Sequence, residues 1–168
     1  MKSKKIFIGE FIGSCFLVMI IVGSGIMAQN LTDDIAVMLI ANTLATGAGL
    51  FVLITSIGDI SGAHFNPVVT LAMYFTNKIK KNLIITYISA QILGCMLGVM
   101  LANFMFDLPL LQLSQKIRPG INIFTAEIIA TFGLIFVIFG SLKSGKLAVA
   151  SSVALSLIHI SEPTRRYS

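Results

Sequence analysis

With 168 residues, 56% of them hydrophobic and only 11% charged, the chain does not have the composition of a soluble domain. Its net charge of +5 would admit a nucleic-acid partner, but the basic residues sit in short clusters between apolar runs, as in loops that flank membrane spans. No nucleic-acid partner is therefore expected. No nucleophile–base–orienter set or phosphate-binding loop stands out, so an enzyme is not expected either.

In chain order, Met1 to Lys5 holds three lysines, and Ile6 to Met27 reads as a first span containing Glu10. Its small residues Gly9, Gly13, Gly23, Ser24 and Gly25 should let other helices approach closely. The run is too long for a cleaved signal peptide and lacks an obvious cleavage site. Asn30 to Asp34 is an acidic turn. Ile35 to Ile57 reads as a second span, with a polar, small-residue stripe of Asn42, Thr43, Thr46, Gly47 and Gly49.

Gly58 to Phe65 breaks the pattern between two long apolar runs. Irregular backbone at membrane depth is tolerated only where it is buried in protein or lines a watery cavity. Asn66-Pro67 reads as a helix start, because Asn can cap and Pro fits the first helical position. The apolar run from Val68 to Phe75 is too short for a span, which needs about 20 residues. The expectation is a re-entrant half-helix from Asn66 to about Thr76, its positive dipole end aimed into a cavity.

Lys78, Lys80 and Lys81 follow. Leu83 to Phe106 is a third span with Gln91 and Gly94-x-x-x-Gly98, and Asp107 to Gly120 is a connector carrying Lys116 and Arg118. Ile123 to Leu142 is a fourth span with Glu127; after Lys143 and Lys146 a fifth apolar run begins at Leu147. The loops on the N-terminal side hold eight lysines, against one lysine and one arginine on the other side. That bias places the N-terminus in the cytoplasm and makes this an integral, multi-pass protein of the lipid bilayer. Cys15 and Cys95 fall inside apolar runs and read as buried thiols. His64 has no second His, Cys or carboxylate at metal-ligand spacing, so neither a metal nor another cofactor is expected.

Two stretches carry a resemblance. Ser61-Gly62-Ala63-His64-Phe65-Asn66-Pro67-Val68-Val69-Thr70 resembles the first signature loop of the aquaporin, or major intrinsic protein, family, departing from it at Val68, where the family mostly has Ala. Tyr87-Ile88-Ser89-Ala90-Gln91 resembles the family's third helix. The resemblance covers Ile6 to about Ala154. It implies an all-α membrane protein, an inverted-repeat bundle with about four to five membrane helices and one re-entrant half-helix in this chain. It also implies a passive pore for water or small neutral solutes such as glycerol, and a homo-tetramer in the full-length family member.

For single residues the resemblance implies a pore lining of Gly62, Ala63, His64, Asn66, Pro67, Val68 and Thr46. Asn66 would both cap the helix and donate its amide to passing water. Pro67 would pack against a partner half-helix, and Val68 would crowd that junction. The carbonyls of Gly62, Ala63 and His64 would be acceptors, with His64 bracing the loop. Thr46, twenty residues before Asn66, resembles a corner of the family's selectivity filter; an ordinary interface threonine is the other reading. Glu10, Glu127 and Gln91 would brace loops. An acid inside a span is by default a functional-site hypothesis, so a proton-relay role in a coupled transporter is the alternative for the two glutamates.

Glu10 and Glu127 lie 117 positions apart, and Ile, Leu, Ile, Gly and Ser recur at that offset. Three spans intervene, so the second copy would start on the opposite face, the mark of an inverted repeat. Finally, Leu155 to Arg165 resembles the translation of a sequencing-library adapter. The native coding sequence is expected to stop near Ala154, giving a partial transmembrane domain over 1–154 and a read-through tail over 155–168, with no role for His159, Arg165 or Arg166.

Overall fold

A computed structural model describes residues 2–112 and 120–160, with side chains through Leu157. Lys116, Arg118, Arg165, Arg166 and the side chain of His159 lie outside the described residues. The helices are α1 (Lys2–Leu31), α2 (Ile35–Ser61), α3 (Pro67–Phe75), α4 (Ile84–Met105), α5 (Ile121–Ser141) and α6 (Lys146–Ile160). Four of them, α1, α2, α4 and α5, are long and apolar enough to cross a membrane. The 30 residues of α1 extend about 45 Å, more than a bilayer's hydrocarbon core, whereas the nine of α3 reach about 14 Å, roughly half of it.

Local chemistry sets the ends of these helices. Asp34 caps α2, its Oδ1 accepting from the Ala36 and Val37 amides at 2.8 and 3.2 Å. Gly62 ends α2 with φ +100°, a left-handed conformation that glycine adopts without a Cβ penalty, and its N–H donates to Gly58 O at 2.9 Å. Asn77 does the same for α3, with φ +58° and the Lys78 N–H reaching back to Met73 O at 2.8 Å. Asp107 closes α4 in like manner, with Leu108 N–H on Asn103 O at 2.9 Å.

α1 packs chiefly on α4, then on α2; α6 packs on α2 and α5. The main apolar cluster joins α2, α3, α5 and α6 through Leu50, Leu53, Ile54, Phe65, Val69, Met73, Ile138, Ala150 and Val153. A solvent-exposed ion pair at the lysine-rich end also joins the two parts of the chain. The Lys146 side chain passes Gly58, and its Nζ meets Asp59 Oδ2 at 2.5 Å.

The glycines of α1 receive a neighbouring helix, as expected, and at one position the re-entrant loop. A Cβ on Gly9 would lie 2.9 Å from Ser61 Cβ, and one on Gly13 only 1.9 Å from the Phe65 ring. Gly9 thus receives the end of α2, where Ile57 Cγ2 would also be 3.2 Å away, and Gly13 makes room for the re-entrant loop. Gly25 makes room for the Asn42 amide, whose Nδ2 would be 2.8 Å from an added Cβ. The closest backbone approach is at Gly94 and Gly98, where a Cβ would sit 2.4 Å from the Phe11 and Cys15 carbonyl oxygens of α1.

Backbone cannot yield as a flexible side chain can. Gly94→Ala or Gly98→Ala should therefore force α1 and α4 apart and cost about 1–3 kcal/mol. Gly140, with nothing within 4 Å of an added Cβ, should accept Ala with a change below about 0.5 kcal/mol. Thermal unfolding in detergent, followed by a thiol-reactive dye on buried Cys15, reads the difference. Equal behaviour of the Gly94 and Gly140 variants would contradict this packing.

Candidate functional site

The site is built on the loop from Ser61 to Asn66 and the first turn of α3. A loop buried among apolar helices must place every backbone N–H. Here one side chain receives two of them directly and holds the hydroxyl that receives a third. Glu10 is fully buried, and its Oε1 accepts from Ser61 Oγ at 2.6 Å and His64 N at 3.0 Å. Its Oε2 accepts from Phe65 N and Gln91 Nε2, both at 2.8 Å. All four partners are donors, as a carboxylate requires. Ser61 Oγ in turn accepts the Ala63 N–H at 3.1 Å.

The network continues into α3 and α4. Gln91 Nε2 also donates to Thr70 Oγ1 at 3.1 Å, and Thr70 Oγ1 donates to Asn66 O at 3.1 Å. The hydroxyl has one proton to give, so His64 Nδ1, 3.1 Å away, is the donor in that contact. The His64 ring stacks on Tyr87 with centroids 4.4 Å apart, and the Tyr87 hydroxyl donates to Ser61 O. Ala63 and Phe65 take φ of +51° and +49°, left-handed values that cost on the order of 1–3 kcal/mol each and persist only where the surroundings fix them.

The loop's two sides differ. The N–H groups of Ala63, His64 and Phe65 all point to partners in the protein. The carbonyls of Gly62, Ala63, His64 and Phe65 accept no hydrogen bond among the described residues. Asn66 divides its own amide: Oδ1 caps α3 by accepting Val68 N–H at 2.8 Å, and Nδ2 has no partner among the described residues.

A cavity of about 200 Å³ adjoins this loop. Gly62, Ala63, His64, Asn66 and Thr46 line it, together with Phe65 and aliphatic residues of α1, α2, α5 and α6. Thr46 is held from behind: its Oγ1 donates to Asn42 Oδ1 at 3.3 Å, and Asn42 Nδ2 donates to Ile21 O at 3.0 Å. Pro67 and Val68 do not line the cavity. Both are exposed, and Val68 is 43% accessible. Glu127 differs sharply from Glu10. It lies exposed on α5 with no hydrogen-bond partner among the described residues.

Sequence reasoning named Glu10, Gln91 and His64 but gave no role to Ser61, Phe65, Thr70 or Tyr87. The first three of these belong to the signature string itself. Tyr87 precedes Gln91 by four residues, which puts both on one face of α4.

Fold and site together define a multi-pass membrane protein with a re-entrant half-helix braced by a buried acid. The family model for the major intrinsic proteins matches residues 1–161, and the chain belongs to that family. It is 43% identical over 148 residues to the aquaglyceroporin AqpS of Rhizobium meliloti (strain 1021), covering 88% of this chain and 64% of that protein. Aquaporin NIP3-1 of Arabidopsis thaliana is 34% identical, with 89% of this chain and 48% of that protein covered. The X-ray structure of the aquaglyceroporin from Plasmodium falciparum superposes with a TM-score of 0.80 at 25% identity, covering 94% of this chain and 71% of that one. The chain thus spans about half to two thirds of the length of these curated relatives.

The carboxylate network predicts a stability phenotype. Glu10→Gln puts an NH₂ donor where a loop N–H or the Gln91 amide already donates, and one unsatisfied buried donor costs about 1–3 kcal/mol. The unfolding midpoint in detergent should fall. A variant that unfolds like the parent yet changes the pH dependence of transport would contradict the bracing role and favour a proton relay.

Proposed function

We propose that this chain supplies one wall and one half-helix of a passive transmembrane channel for water and small neutral solutes of glycerol size. The observation that supports the reading is the sidedness of the loop: N–H groups tied into the protein, and four consecutive carbonyls and the Asn66 Nδ2 without a partner among the described residues, on residues that line the cavity. A row of carbonyl oxygens replaces the hydrogen-bond partners that a solute leaves behind in bulk water. Asn66 Nδ2 donates to a water oxygen, which turns that water's own protons away from its neighbour and interrupts a proton wire. The N-terminus of α3 adds positive potential that disfavours cations.

The volume is compatible with this role, since at about 30 Å³ per water the cavity holds on the order of six. Thr46 serves as a filter corner in this reading, small enough to pass a polyol. The exposed tip of Pro67 and Val68 is the surface for a second half-helix, and Glu127 is its brace, with the lysine-rich end of the protein in the cytoplasm. The relatives named as aquaglyceroporin and aquaporins support the solute class, and a homo-tetramer is part of the same proposal. Glu10 is absent from the cavity lining, which argues against a coupled transporter that relays protons through it.

Stopped-flow light scattering on proteoliposomes of the full-length channel that contains this chain tests the proposal. Water and glycerol permeation should exceed that of protein-free vesicles and be indifferent to a protonophore; solute movement that needs a proton gradient would overturn it. Thr46→Phe should cut glycerol flux by about tenfold, equivalent to roughly 1.4 kcal/mol of added barrier, and spare water.

A further inference from the structure

The lysine-rich end carries a second, larger cavity of about 1170 Å³. Three separate segments bring lysines to it: Lys2 at the start of α1, Lys78 and Lys80 in the turn after α3, and Lys81 ahead of α4. Its one acid, Asp59, is already engaged by Lys146 at 2.5 Å. None of the four lining lysines has an ion-pair partner among the described residues. Apolar Ile6, Ile79, Leu83 and Leu142 share the wall.

Lysines spread over a membrane-facing surface are ordinarily just solvated. Here they converge on one concavity, with its only acid neutralised and with apolar surface beside them. That combination suits an amphiphile with a compact negative head better than a hydrated ion. We propose that this cavity is a binding site for the phosphate headgroup of an anionic phospholipid. Each lysine near such a headgroup contributes about fivefold in affinity, so three of them contribute about a hundredfold. The cavity shares Gly62, His64, Met73 and Leu142 with the smaller one, so a headgroup bound here sits at the mouth of the proposed conduit. The site rests on membership of a membrane-protein family and not on any flux.

The test compares two triple variants with equal charge loss. Lys78→Gln/Lys80→Gln/Lys81→Gln removes cavity lysines; Lys4→Gln/Lys5→Gln/Lys143→Gln removes exposed lysines that do not line it. All six positions are exposed, so the fold should tolerate both changes. Native mass spectrometry of the protein in mixed phosphatidylglycerol–phosphatidylcholine micelles counts retained anionic lipid. The parent and the control triple should retain phosphatidylglycerol, and the cavity triple should lose it by at least about tenfold. In a second arm, glycerol 3-phosphate is added to the parent in phosphatidylcholine alone. Binding there that the cavity triple abolishes supports the site, with soluble phosphate esters as its source. Equal loss in both triples, or loss in neither, overturns the proposal.

Discussion

One carboxylate makes an irregular backbone possible at membrane depth. Hydrocarbon offers no partner to an exposed N–H, and each one left unsatisfied costs several kcal/mol. Glu10 accepts from two successive loop amides and from the Ser61 hydroxyl, which takes the Ala63 amide. The loop is therefore fixed from one side, in a conformation with two non-glycine residues in the left-handed region.

Much of the surrounding packing follows from holding the anchor in register. Gly9 and Gly13 lower the surface of α1 so that Ser61 and Phe65 can reach Glu10. Gln91 supplies the fourth donor and arrives on α4, whose distance from α1 is set by Gly94 and Gly98. Thr70 ties the first turn of α3 to the same cluster through Gln91 and His64. The outcome is a division of labour along five residues. The amides of Ala63, His64 and Phe65 are tied into the protein, the carbonyls of Gly62 to Phe65 accept no hydrogen bond among the described residues, and Asn66 caps α3 through its Oδ1 alone.

The spans and the half-helix were legible from the sequence because hydrophobic length and an Asn-Pro start are local signals. The expected half-helix of Asn66 to about Thr76 is α3 with its two caps, and the expected second span begins at Ile35 as α2 does. The spacing of Gly9 and Gly13 could not tell their roles apart, since small residues four apart look the same whether they receive a helix, as Gly9 does, or a loop, as Gly13 does. The Asp59–Lys146 ion pair and the convergence of Lys2 with Lys78 were not legible at all. Each joins residues far apart in the chain, and nothing local to either partner marks the contact. The contrast between buried Glu10 and exposed Glu127 was hidden for a similar reason: an internal repeat equates positions, and burial depends on what packs against them.

The central claim is that the Asn66 amide nitrogen meets water inside the membrane while its oxygen stays in the α3 cap. Solid-state NMR of the protein in lipid, with ¹⁵N-labelled asparagine and the Asn66 signal assigned from an Asn66→Asp variant, observes that nitrogen directly. Magnetisation transfer from water to the Asn66 side-chain NH₂ group is the predicted result. An Asn66 NH₂ group with no transfer from water, in protein whose Glu10-bound amides are intact, would contradict the account.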